Sequence, residues 1–102
     1  MEIEHRHTLD EAGVQERLRA FGDYLSNKHG MQVAWEDDGS AHVTGKYTVV
    51  QIDVRVRNES GLVQLKGKDP GRLLRGTATK YLKRKLAEYL DPNVAPTDLA
   101  RR

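Results

Sequence analysis

Apolar residues recur along the chain with two different periods, and the switches between them divide it into elements. From Glu2 to His7 they alternate, with Ile3, His5 and His7 on one side and Glu2, Glu4 and Arg6 on the other, which predicts a short edge strand. Thr8-Leu9-Asp10-Glu11 then reads as a capping box, in which the Thr8 hydroxyl accepts from the amide of Glu11 and the Glu11 carboxylate reaches back to the amide of Thr8. Beyond it Val14, Leu18, Phe21 and Leu25 fall on one helical stripe, and Gly30 after Lys28-His29 supplies a stop, so the spacing predicts a helix from Leu9 to His29. Gly13 and Gly22 lie inside it at a cost of roughly 1 kcal/mol each against alanine, as tolerated weaknesses or as places of close packing.

From Met31 to Lys68 the period becomes two, punctuated by turns at Asp37-Asp38-Gly39-Ser40, at Asn58-Glu59-Ser60-Gly61 and between Gly45 and Tyr47, which predicts a meander of strands. Its clearest strand is Thr48 to Arg57, where Val50, Ile52, Val54 and Val56 oppose Gln51, Asp53, Arg55 and Arg57. Met31, Val33, Trp35, Ala41, Val43, Val63 and Leu65 extend its apolar face over the neighbouring strands. Asp69-Pro70 places a capping acid before a proline at the first helical position. Leu74, Ala78, Tyr81, Leu82, Leu86, Tyr89 and Leu90 then trace a second apolar stripe, ending a helix near Leu90.

The order β-α-β-β-β-β-α predicts a two-layer α+β domain over residues 1–92, an antiparallel sheet with both helices on its one apolar face. Residues 93–102 have no periodicity and predict a flexible C-terminal tail. The topology resembles a helix-grip or TATA-binding-protein-like fold, a likeness that says nothing about activity.

Composition narrows the classes. A chain of 102 residues closes one core, and with no cysteine it has no disulfide, thiolate metal site or thiol nucleophile. Charged residues follow Met1 at once and no long apolar run occurs, so a signal peptide and a membrane span are not expected and a cytoplasmic protein is. The net charge of +2 conceals a dipole: residues 1–40 carry four Lys/Arg against nine Asp/Glu, and residues 66–85 carry eight Lys/Arg against one Asp.

Scattered positions carry a more specific likeness. Ile3 with His7-Thr8-Leu9, Glu11-Ala12, Arg17-Leu18, the helix end Lys28-His29-Gly30, Trp35, Gly45, the strand Val50-Ile52-Val54, and Tyr81, Leu82 and Leu90 of the last helix together resemble the bacterial polyhydroxyalkanoic acid system proteins. The likeness spans the chain apart from the tail. It implies a setting in polyhydroxyalkanoate storage, with a granule or a granule-associated protein as partner, and it carries over no catalytic residue and no cofactor.

The residues themselves offer little catalysis. His5 and His7 share a strand face, and His29 and His42 complete the histidines, yet no further ligands converge on them by spacing, so no metal is expected. Asp37-Asp38 belongs to a turn sequence, and Ser26, Ser40 and Ser60 lack a nucleophile-elbow context. The chain is therefore expected not to be an enzyme. The second helix is the most informative surface, because Arg72, Arg75, Lys80, Lys83 and Arg84 form a basic ridge beside the apolar stripe. Three readings of it stay open: a solvated face, a contact for nucleic acid or another polyanion, and pairing with the acidic first helix within or between protomers. On the polar sheet face Arg55 and Arg57 are candidates for receiving an anionic group. Edge strands leave a homodimer open, and a small ligand held between helices and sheet near Trp35 and Tyr81 is a further alternative.

Overall fold

A computed structural model describes residues 1–47, 49–69, 71 and 74–99, apart from the side chain of Tyr47. The elements are β1 (Glu2–Arg6), α1 (Glu11–His29), β2 (Gln32–Trp35), β3 (Ala41–Tyr47), β4 (Val50–Glu59), β5 (Leu62–Gly67), α2 (Arg75–Tyr89) and α3 (Pro96–Leu99). The strands form one antiparallel sheet in the order β1-β5-β4-β3-β2, so β1 crosses over to close the far edge of the four-strand meander. The expected α+β order and the single sheet are both present.

Register follows from the alternation. Val43 opposes Val54 and Val56 opposes Leu65, so the apolar side chains of neighbouring strands share one face. Val50, Ile52, Val54, Val63 and Leu65 are all buried there, together with Ile3 from β1. The helices cover this face, α1 against β2 and β3, and α2 against β1. Val14, Leu18, Phe21 and Leu25 of α1 meet Ala78, Leu82, Leu86 and Tyr89 of α2 in a continuous core. Trp35 and Val33, at the β2 edge, are only partly buried. A Cβ on Gly22 would lie 3.0 Å from the Trp35 ring and 3.3 Å from Val33, so this glycine is a place of close packing.

Several boundaries differ from expectation. The cap of α1 is Asp10, whose carboxylate accepts from the amide of Gly13 at 2.7 Å. Thr8 does not serve, because the chain is still tied to the sheet: the amide of His7 donates to Gly61, and Glu11 accepts from Asn58 Nδ2 at 2.9 Å in place of reaching back. At the other end the amide of Gly30 donates to Ser26 as predicted. β3 runs through Gly45 to Tyr47, and β4 occupies Val50–Glu59 with a tight Ser60-Gly61 turn. The expected starts at Thr48 and Pro70 lie outside the described residues.

α2 begins at Arg75, not at the Asp69-Pro70 step. Gly71 has φ +111°, which no helix accommodates, and Asp69 accepts from the amide of Gly71 in a local turn that uses up its capping oxygen. Pro96–Leu99 form a helical turn against α1, and Leu99 is buried where its isobutyl group completes the core beside that helix. No helix among the described residues is long and apolar enough to cross a membrane.

Among the described residues no strand pairs with the outer edge of β1 or of β2. Along β1 the hydrogen-bonded partners of β5 alternate from Met1–Gly67 to His7–Gly61, which turns the backbone groups of Glu2, Glu4 and Arg6 outward. Charged side chains at such positions are the ordinary guard against strand addition.

Candidate functional site

The outer face of α2 is where the sequence and the fold concentrate charge without neutralising it. Ala78, Tyr81, Leu82, Leu86 and Tyr89 turn inward, and the helical period therefore turns Gly76, Thr77, Lys80, Lys83, Arg84 and Ala87 to solvent. Thr77, Lys80 and Arg84 border one shallow depression over the edge of Tyr81, and Thr77, Lys80 and Lys83 border an adjoining one that reaches Arg75. Among the described residues no carboxylate forms an ion pair with Lys80, Lys83 or Arg84, and the guanidinium of Arg84 lies 6.0 Å from the Tyr81 ring centroid.

The predicted ridge is thus only partly assembled. Arg75 is held by Asp69, and that hydrogen bond, ahead of the Gly71 amide, holds the Asp69 carboxyl below the usual carboxylate range. Arg72 lies outside the described residues. Lys85, which belongs to the same basic run, leaves it: its side chain is 14% exposed, its ammonium sits 4.4 Å from the Tyr24 ring centroid and it pairs with Glu88 at 3.5 Å. Among the described residues, the cations of the ridge displayed without a carboxylate partner are Lys80, Lys83 and Arg84.

The sheet face presents charges that already have partners. Arg55 donates to Glu36 at 2.7 Å and Arg57 lies 3.8 Å from Glu59. Lys66 faces Glu2, and Gln64 donates to Glu4. Sequence reasoning missed one pair here. His42 Nε2 lies 2.7 Å from Asp53 Oδ1, and this hydrogen bond, with lesser help from Lys68 and Arg55, holds the Asp53 carboxyl low. The signal was available in the alternation, which puts both residues on the wet face of adjacent strands, as diagonal neighbours two positions out of register.

His5 and His7 do not converge on a metal-like site. His7 Nδ1 accepts from the amide of Leu9 at 3.2 Å, which assigns the proton to Nε2 for donation to Asn58 at 2.7 Å. Asn58 in turn donates to Glu11, so the histidine joins β1, the α1 start and the β4–β5 hairpin. Among the described residues no three His, Asp or Glu side chains come together in a way that could hold a metal ion.

Between α1 and the sheet, beside Trp35, Leu18, Phe21 and Val43, there is a void of about 10 Å³. That is room for about one water, against roughly 300–1,000 Å³ in small-molecule sites. Tyr81 does not border it, lying instead near His29 at a ring separation of 6.1 Å. Trp35 is capped from outside by Arg19, 4.6 Å from its ring.

A family profile described as Putative polyhydroxyalkanoic acid system protein matches residues 1–93. The chain belongs to this family. No curated protein and no solved structure matches it. For this polyhydroxyalkanoic acid system protein the matched span takes in the whole sheet, α1 and α2, and it stops before α3.

Proposed function

We propose that this protein is a non-enzymatic accessory or interaction protein of the polyhydroxyalkanoate system, acting through its surfaces on the granule or on a granule-associated protein. The observation that carries the reading is the outward display of Lys80, Lys83 and Arg84 on α2, with no carboxylate paired to them among the described residues. Cations left uncompensated cost the fold nothing only while water or an external anion solvates them, and they favour an anionic partner. His7 bonds to Leu9 and Asn58, and His42 to Asp53, each as a tie between elements.

Co-sedimentation of the purified chain with polyhydroxyalkanoate granules tests this. The chain is expected in the granule pellet at low salt, with less recovered as salt rises. The triple variant Lys80→Gln, Lys83→Gln, Arg84→Gln is expected to stay in the supernatant. A wild-type chain that stays in the supernatant at every salt concentration removes the granule as the partner.

A further inference from the structure

The shape of the cationic surface says more about its partner than its sign does. Lys80, Lys83 and Arg84 lie within about 6 Å along the α2 axis, and Arg75 extends the row to about 13 Å. Acids flank the row on one side: α1, in the same layer, exposes Glu16 and Asp23, whereas Glu2 and Glu4 of β1 lie on the opposite, polar face of the sheet with Lys66 and Gln64. A broad anionic plane laid on the helix layer would meet the α1 carboxylates together with the α2 cations, whereas a narrow rod can follow α2 alone. The strip also lacks what other partners use. Among the described residues the strip exposes no large apolar or aromatic side chain, since Tyr81 is 5% exposed, so it offers no stacking platform for unpaired bases. Thr77, beside Lys80 and Arg84, adds a hydroxyl of the kind that contacts phosphate oxygens.

We propose that the outer face of α2 binds the phosphate backbone of duplex DNA, without reading its sequence. This rests on the reading that the protein acts through that face, and it adds to the granule proposed above a second, distinct partner. Three displayed cations that neutralise three phosphates give a salt dependence with a slope of about −2.7 in log K against log salt, or about 40-fold weaker binding at 200 mM than at 50 mM. Unrelated duplex sequences bind alike, because no base edge is contacted.

Fluorescence anisotropy of a labelled 20-base-pair duplex, titrated with the full chain at 50 and 200 mM salt, tests the proposal. The expected result is binding at 50 mM with that slope, loss of binding in the Lys80→Gln, Lys83→Gln, Arg84→Gln variant with an unchanged unfolding transition, and retention in Arg55→Gln, Arg57→Gln. Absence of binding at 50 mM, or a triple variant that binds like the wild type, overturns it. So does tighter binding, through the same three residues, to vesicles of equal phosphatidylglycerol and phosphatidylcholine, since a plane would then be the preferred partner. Granule co-sedimentation run alongside separates the two ideas: a chain that pellets with granules and ignores DNA keeps the surface reading and loses this one.

Discussion

Ser60 shows how a single residue can oppose the turn it occupies. With φ 48° at Ser60 and 81° at Gly61, the β4–β5 connection is a two-residue turn in which both positions are left-handed, the arrangement that favours Asn-Gly. Ser60→Asn is expected to stabilise the protein by about 0.5 kcal/mol, read as a higher urea midpoint at unchanged slope, because asparagine tolerates that conformation better than serine. No change, or a loss, would show that the turn does not limit the hairpin. The turn residues were legible in the sequence, yet its length was not, because Asn58 and Glu59 keep pairing with Val63 and Leu62. Gly22 was legible only as an anomaly. That it admits the Trp35 ring depends on β2 lying against α1, which no local pattern reports.

The elements are joined by contacts that cut across their own periodicities. Arg17 stands next to Leu18 on α1 and is 5% exposed, with Nη1 donating to the Asp91 carbonyl at 2.7 Å and to that of Tyr89 at 3.3 Å. A buried guanidinium thus closes the C-terminal end of α2, where the helix dipole favours a cation. Arg17→Met keeps the apolar stem and strands those carbonyls, so a loss of about 2–3 kcal/mol is expected in denaturant unfolding. A loss below about 0.5 kcal/mol would mean that water replaces the arginine at no cost. Leu99 makes a parallel case for α3. Leu99→Ala is expected to cost about 2–4 kcal/mol in denaturant unfolding, and a loss below about 0.5 kcal/mol would show that α3 adds nothing to the core. Arg17 was legible only as a position of the family resemblance and Leu99 not at all, since a lone arginine in an amphipathic helix reads as solvated and one leucine in an aperiodic segment has no stripe to join.

At the scale of the molecule, stability and charge are set by what the layers enclose. His5 lies on the helix-covered side of β1, where burial, and secondly the neighbouring His7, lowers its pKa from 6.5. The fold therefore favours the neutral ring. Its contribution is complete above pH 6.5 and is lost as pH falls from there through the folded value, because the unfolded chain binds the proton more readily. The urea midpoint is expected to drop between pH 7 and pH 5, and His5→Leu to flatten that slope; equal slopes in the two proteins would refute the assignment. The carboxyls of Asp53 and Asp69, held low by His42 and Arg75, act in the same direction at more acid pH. Local chemistry alone determined a good deal here: the strand and helix order, the apolar face of each strand and the cationic face of α2, since periods of 2 and 3.6 are properties of the backbone and need no partner. Tertiary structure alone decided which cations stay free. Asp69 captures Arg75 across the Gly71 turn, Tyr24 of α1 draws Lys85 inward, and acids of α1 lie beside what is left. The first depends on how the chain turns before α2, and the others on distances between segments far apart in the chain, which come into being only when the helices dock.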